Sequence, residues 1–277
     1  MAADLTGHTL GLLGAGNMAE ALARGALKAR VLTPQSIIAS DVAPARLEFF
    51  ARELGVCTVP ENRAVVQAAD LLLLCTKPQQ TDDVLKDIAP IFDVKRHVLA
   101  SIAAGVPTAR LEKHLPQGAR VVRVMPNTPL LVGLGASCLC RGAHATGADE
   151  EMIAALFASS GTTLKVEERM LDAVTGLSGS GPAYLFYLVE AMVDAGVAEG
   201  FPREVALRLA AQTCLGASKM LMETGEQPEE LRRRVTSPNG TTQAAVEKMD
   251  AAGVKASITQ AVRRAAERSR ELGQGAK

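Results

Sequence analysis

Two stretches of this chain have residue types spaced for binding anions, and they lie more than 200 positions apart. The first reads Gly11-Leu-Leu-Gly14-Ala15-Gly16-Asn17-Met18-Ala19. Its Gly14-x-Gly16-x-x-Ala19 spacing lets the backbone turn tightly at Gly14, approach a pyrophosphate at Gly16 and pack a helix closely at Ala19. The helix N-terminus that follows offers free N–H groups and partial positive charge to phosphates. The second reads Thr236-Ser237-Pro238-Asn239-Gly240-Thr241-Thr242 and runs into the Ala-rich, helix-forming QAAVEKM. Pro238 stiffens this loop, Gly240 permits a positive φ, and Thr241 and Thr242 open a helix. Amides and hydroxyls then converge on one spot suited to a carboxylate. The competing reading is a plain surface turn, but an ordinary N-cap needs one polar residue rather than a tailored run.

Several other polar residues fall at the ends of apolar runs. Asp41 stands 25 positions after Gly16, where an acid grips the adenosine ribose in NAD-binding folds. A carboxylate there repels a 2′-phosphate, whereas Ser40 and Arg46 could contact one, so NADH and NADPH both stay open. Asp41 before Pro44 also suits a simple turn. Lys77-Pro78 follows DLLLLCT, Ser101-Ile-Ala-Ala-Gly105 ends the next run, and Met125-Pro-Asn127-Thr128-Pro129 another. Small residues at 101–105 leave room for a flat nicotinamide ring, and Asn127 could hydrogen-bond a ligand. Lys77 reads equally well as a solvated surface lysine. Thr175-Gly-Leu-Ser-Gly-Ser-Gly-Pro182 packs three glycines ahead of an apolar helix, which suits a hinge and N-cap as well as close backbone approach to a ligand.

The elements that must position these residues change character along the chain. Thr9–Leu13, Ile37–Ser40, Asp70–Cys75, His97–Ile102 and Ala119–Val124 read as strands, with helices over Met18–Ala29 and Leu47–Leu54. Continuous apolar strands alternating with helices predict a parallel sheet covered on both faces. From about Lys165 strand signals stop. Helices are expected over Tyr184–Val197, Val205–Met222, Thr242–Met249 and Lys255–Leu272, the last with Ile258, Val262, Ala265, Ser269 and Leu272 on one stripe. The fold class is therefore α/β: an N-terminal Rossmann-type dinucleotide-binding domain (1–165) followed by an all-helical dimerisation and substrate-binding domain (166–277). Tyr184–Val197 is apolar nearly all round, so it should be buried on most sides. The helical half alone cannot cover it, which predicts a homodimer.

Composition narrows the function. Thirty Lys and Arg balance thirty Asp and Glu, so no net positive field draws nucleic acid or anionic lipid. With six Phe, two Tyr and no Trp, stacking platforms for single-stranded nucleic acid are not expected. Five scattered cysteines without metal-ligand spacing predict reduced, buried thiols and no metal, with Cys138 and Cys140 on one face of a strand. The opening MAADLTGHTL lacks the basic region of a signal peptide, and no apolar run spans a bilayer, so a soluble, cytoplasmic protein is expected.

Taken together, LRRRVTSPNGTTQAAVEKM at 231–249, TGLSGSGPAY, the TKP at 76–78, SIAAG and MPNTP resemble the pyrroline-5-carboxylate reductases essentially from end to end. The resemblance implies reduction of 1-pyrroline-5-carboxylate to L-proline with NADPH or NADH, and subunits interlocked as a dimer, often within a decamer. It implies cofactor contacts from Gly14, Ala15, Gly16, Asn17, Met18 and Ala19, from Asn62, from Cys75, Thr76, Lys77 and Pro78, and from Ile102, Ala103 and Ala104. It implies a substrate held by Ser237, Gly240, Thr241 and Thr242, with Glu168 and Thr175 nearby, and a substrate loop and nicotinamide crevice drawn from different subunits. Two positions depart from the family pattern. Arg234 stands where Asn is common, and Asp41 is unusual for a reductase preferring NADPH.

The chemistry asks little of the protein. A protonated cyclic imine is already electrophilic, so the chain need only align two rings about 3–3.5 Å apart, exclude water and fix the carboxylate. Thr242 is the candidate catalytic residue, through a hydrogen bond to the ring nitrogen. All four histidines precede residue 145 and no lysine lies between Lys165 and Lys219. Oxidation of an alcohol, which must lose a hydroxyl proton, is poorly served by that pattern. A 3-hydroxy acid dehydrogenase using Lys219 or Lys248 and a non-catalytic dinucleotide sensor are the rival readings.

Overall fold

Runs of large aliphatic residues satisfy both faces of a strand only when the sheet is covered on both sides. The computed structural model, which describes residues 5–273, has that arrangement. The outer ends of both expected domains, and the first four residues of the segment read against a signal peptide, lie outside the described residues. Leu10–Leu13 (β1), Ile37–Ser40 (β2), Leu71–Leu74 (β4) and Val98–Ser101 (β5) are buried at every position. With Cys57–Val59 (β3), Arg120–Met125 (β6), Gly135–Arg141 (β7) and Gly161–Lys165 (β8) they form one sheet ordered β3-β2-β1-β4-β5-β6-β7-β8. Leu10, Leu12, Leu71 and Leu73 point into one core with Phe50 and Phe157. Leu13, Leu72 and Leu74 point into the other with Val65 and Ile88.

The helices of this half are α1 (Asn17–Lys28), α2 (Pro44–Leu54), α3 (Asn62–Ala68), α4 (Thr81–Ile88), α5 (Thr108–Lys113), α6 (Gly147–Ala158) and the short α7 (Leu171–Val174). Pro44 occupies the first turn of α2, where its missing N–H costs nothing, so the helix begins earlier than its apolar pattern suggests. The strand order reverses between β1 and β4, the place where such sheets open a ligand crevice beyond their C-terminal ends. One expectation needs correction. The sheet is not wholly parallel, because β7 runs antiparallel to β6. The connection between them holds only a short 3-10 turn at Thr128–Val132, too little for the crossover that a parallel return requires.

Chain contacts divide the molecule into two compact units. One runs through Ser180 and regains the chain from Arg264, and the other is Gly181–Arg263. The second contains α8 (Gly181–Ala198), α9 (Arg203–Thr224), α10 (Pro228–Arg234), α11 (Thr241–Ala251) and the first half of α12 (Val254–Gly273). The helices α8 and α9 form a hairpin around Val189, Val193, Ala206 and Ala210. Little else there is buried: of α8 only Val193 is, while Phe186, Tyr187 and Leu188 are exposed. Burial of α8 on most sides is thus not achieved within one chain. On α12 the buried residues are Ala266 and Ser269, and Ile258 of the expected stripe is exposed.

Candidate active site

The turn after β1 is held open by its own backbone. Gly14 has φ +104°, and a Cβ there would lie 3.3 Å from the Cys75 carbonyl carbon and oxygen, so a side chain is disfavoured both by conformation and by space. Its N–H donates to the Ser40 carbonyl at 2.9 Å, and the Cys75 N–H to the Leu13 carbonyl at 2.9 Å. Gly16 is the N-cap of α1; among the described residues no side chain caps that helix, and a Cβ on Gly16 would meet open space. The first-turn N–H groups are therefore clear to approach. This arrangement fits a dinucleotide pyrophosphate.

Around that turn the polar residues are already engaged. Asp41 accepts the Ala15 N–H at 2.7 Å through one oxygen and the Ala43 N–H at 2.8 Å through the other. It serves as the turn residue that the sequence allowed, and also ties β2 to the glycine turn. Ser40, fully buried, donates to the Asn62 side-chain oxygen at 2.7 Å. Arg46 donates Nε to the Ala15 carbonyl at 2.7 Å and Nη2 to Glu20 at 2.9 Å. Burial alone would raise the Glu20 carboxyl, but hydrogen bonds from Arg46 and Arg24 outweigh it and hold the pKa below the ordinary value.

The remaining strand ends line up beside this turn. Lys77 is exposed, and burial pushes the Cys75 thiol far above its usual range. Ile102 donates its N–H to the Leu74 carbonyl at 3.2 Å, and Ala103 is buried. Asn127 is committed to the main chain: its oxygen accepts the Ala136 N–H at 2.9 Å and its amide donates to the Ser178 carbonyl at 3.1 Å. Thr175 begins a π-helical turn through Gly179 and donates its hydroxyl to the Leu171 carbonyl.

Sequence reasoning missed an ionic cluster around the buried Arg123, next to the 101–105 loop. Glu168 accepts both the N–H and the hydroxyl of Thr108, each at 2.7 Å. Arg123, with a 4% exposed side chain, pairs with Glu168 and Asp172 at 3.4 Å each, and Ser269 of α12 donates to Asp172 at 2.7 Å. The signal was present, since an arginine inside the apolar VVRV run of β6 demands buried partners. Glu168 and Thr175 belong to the first unit, whereas Ser237 and Gly240 to Thr242 belong to the second. Within either unit taken alone, the structure does not bring these residues together.

The loop before α11 departs from expectation in one respect. The positive φ falls on Asn239 (+57°), whose N–H donates to the Gln243 side chain, while Gly240 is an extended N-cap at φ −87°. Glycine suits position 240 for space, because a Cβ would come within 2.3 Å of the Ser237 Oγ and 3.0 Å of the Ser237 carbonyl oxygen, so the hydroxyl would have to turn away. Among the described residues no side chain caps α11, so the first-turn amides around Thr241 and Thr242 have no intrahelical partner. Such an end attracts an anion. The α10 helix leading into the loop is braced by Arg234, which pairs with Glu226 through Nη1 and Nη2, at 2.9 and 2.6 Å.

Other candidates are weakened. Lys219 is exposed and pairs with Glu223 at 3.5 Å, and Lys248 is exposed too, so neither has the buried setting of a tuned base. All five cysteines are free; Cys138 and Cys140 are buried, Cys75 and Cys214 are partly buried and Cys57 is exposed, correcting the expectation of five buried thiols. Burial pushes Cys140 to about 12. Among the described residues no cluster of three metal-binding side chains occurs, and no helix is long and apolar enough to cross a membrane.

Residues 168–272 match the family model for pyrroline-5-carboxylate reductase dimerisation, and residues 9–105 match that for NADP oxidoreductase coenzyme F420-dependent. The chain is 46% identical over 264 residues to pyrroline-5-carboxylate reductase of Methanosarcina acetivorans, covering 95% of this chain and 97% of that one. Its structure is similar to that of a pyrroline-5-carboxylate reductase from Coxiella burnetii, with TM-score 0.89, 32% identity and coverage of 96% and 98%. The Plasmodium falciparum pyrroline carboxylate reductase solved with NADP bound gives TM-score 0.88 at 28% identity, covering 96% and 98%.

Proposed function

Because the chain belongs to the pyrroline-5-carboxylate reductase family, we propose that it reduces 1-pyrroline-5-carboxylate to L-proline with a reduced nicotinamide dinucleotide, the last step of proline synthesis. The observation that carries this reading is the uncapped N-terminus of α11, framed by Ser237, Thr241 and Thr242, on a chain whose other unit offers the Gly14–Ala19 turn. When bound, the dinucleotide supplies a hydride. The chain's own residues bind and orient. Gly14 to Ala19 seat the pyrophosphate, Asn62 and the 75–78 and 102–104 segments line the rest of the crevice, and the Gly240–Thr242 amides hold the substrate carboxylate. The Thr242 hydroxyl oxygen accepts a hydrogen bond from the protonated ring nitrogen, so no side chain need act as a strong acid or base.

The C-terminal region is a dimerisation region, and we assign to it a homodimer in which the exposed face of α8 is covered, assembled further into a decamer in the cytoplasm. Substrate loop and nicotinamide crevice come from different subunits in this reading. The test supplies pyrroline-5-carboxylate to the purified chain and follows the absorbance of NADH and of NADPH. Consumption that requires the imine, with proline accumulating, is expected. No turnover with either dinucleotide, or turnover of a hydroxy acid instead, would overturn the assignment.

A further inference from the structure

The end of β2 decides which dinucleotide is used. We infer that this chain takes NADH in preference to NADPH, and that Asp41 is the determinant. The inference rests on the dinucleotide-reductase reading above and deepens it.

A 2′-phosphate brings roughly −1.5 to −2 charge at neutral pH and needs donors or cations at the end of β2. Ser40, Arg46 and Arg24 are candidates there, and each is turned to the protein. The Ser40 hydroxyl is fully buried and directed at the Asn62 oxygen. Arg46 is held by the Ala15 carbonyl and by Glu20, with its guanidinium carbon 4.7 Å from the Phe49 ring centre and 5.4 Å from that of Phe50. Arg24 is paired to the same Glu20 carboxylate at 2.9 Å. The cations near this corner are thus matched by an anion of their own.

Asp41 is left as the polar group that follows β2. The Ala15 and Ala43 N–H groups fix the orientation of its carboxylate, using one acceptor site on each oxygen. A carboxylate oxygen has two such sites, so both oxygens can still accept from ribose hydroxyls. A 2′-hydroxyl donates into this arrangement, whereas a 2′-phosphate meets a like charge that its two backbone bonds prevent from swinging away. The same contacts make Asp41 part of the glycine turn, so avoiding the phosphate by loop movement would break the Ala15 bond.

The test measures kcat/KM for NADH and NADPH with pyrroline-5-carboxylate, and Kd for each dinucleotide alone from nicotinamide fluorescence, on the full chain. Wild type should favour NADH by about tenfold or more in both, since like-charge juxtaposition at a binding site costs several kcal/mol. Asp41→Ser should move the ratio toward NADPH by about 10- to 100-fold, mainly through a lower KM for NADPH with kcat kept. Asp41→Asn removes the charge but keeps one acceptor oxygen for the Ala15 N–H, and should shift the ratio in the same direction with its circular dichroism unchanged. Wild type that uses NADPH equally or better overturns the inference. So do variants that weaken both dinucleotides in parallel, which would make Asp41 a loop anchor alone. Selective NADH binding without imine reduction would sink the proposed reaction and leave this inference standing.

Discussion

The two units handle their polar groups in opposite ways. In the first, the groups near the crevice are matched internally: Asp41 to two amides, Asn127 to two backbone partners, Arg123 to two carboxylates. In the second, the end of α11 has bare amides and the face of α8 has bare hydrocarbon. A sheet buried on both sides can finish its own core, and it presents a rigid, preorganised surface to a cofactor. A helical hairpin with one small core depends on something outside itself to cover α8, and on an anion to satisfy α11. The difference separates residues whose loss should unfold from residues whose loss should only disable.

Arg123→Leu breaks the first side of that comparison most severely. It leaves Glu168 and Asp172 without their shared cation and exposes Thr108 and Ser269 to rearrangement. Orphaning partners of a buried charge costs about 3–5 kcal/mol, and the two carboxylates keep some solvent, so we expect about 3 kcal/mol. Urea unfolding should show a lower midpoint with unchanged m; a midpoint within error of wild type would mean the cluster contributes nothing. A Cβ on Gly105 would approach the Ser269 carbonyl at 2.7 Å, so this loss should also loosen the 101–105 loop against α12.

Thr242→Ala tests the opposite case. The residue lies at a helix start that no side chain caps among the described residues, so the fold should be indifferent. Activity should not be: removing one preorganised donor or acceptor costs about 10²-fold or somewhat more in kcat/KM. Wild-type kinetics with pyrroline-5-carboxylate would refute the role, and a large fall in unfolding midpoint would show that the second unit matches its polar groups internally after all.

How far the sequence revealed each half follows the same division. β1, β2, β4 and β5 were readable because short runs of mostly aliphatic residues have few other uses, and the Gly14–Ala19 spacing marked the tight turn into α1. The antiparallel β7 was not, since nothing in MPNTPLL announces the direction of return. Asp41 could be placed at the end of β2 but not oriented, because the Ala15 N–H that captures it is 26 positions away. Glycine at 240 was read as permitting a positive φ, but it is extended and matters for space, with Asn239 adopting the left-handed turn. On α8, apolarity was legible, and within one chain its face stays exposed.

The proposed cover can be tested. Tyr187 is 76% exposed on α8 beside Phe186, and a charge there should oppose association. For Tyr187→Glu we expect an effect of about 2 kcal/mol on assembly, roughly 30-fold in dissociation constant, as for a central aromatic anchor. Light scattering across a dilution series should show monomer appearing at higher concentration than in wild type. An unchanged assembly would mean that another face makes the dimer.

The smallest effect concerns a surface contact of the first unit and fixes the lower end of the scale. Asp82 receives two hydrogen bonds from Arg110, each at 3.0 Å, and those bonds hold its carboxyl below the ordinary value of 3.8 despite partial burial. The folded pKa is lowered relative to the unfolded one. The pair therefore stabilises fully above the unfolded pKa, and its contribution disappears as pH falls through the folded value. Because solvent screens a pair this exposed, the contribution should be at most about 1 kcal/mol. Asp82→Asn should melt about 2 °C below wild type near neutral pH, with the gap closing below about pH 4 if folding stays reversible. A gap that persists undiminished into acid would show that Asn is tolerated poorly for reasons of packing, not charge, and that even the rim of the first unit is set by shape.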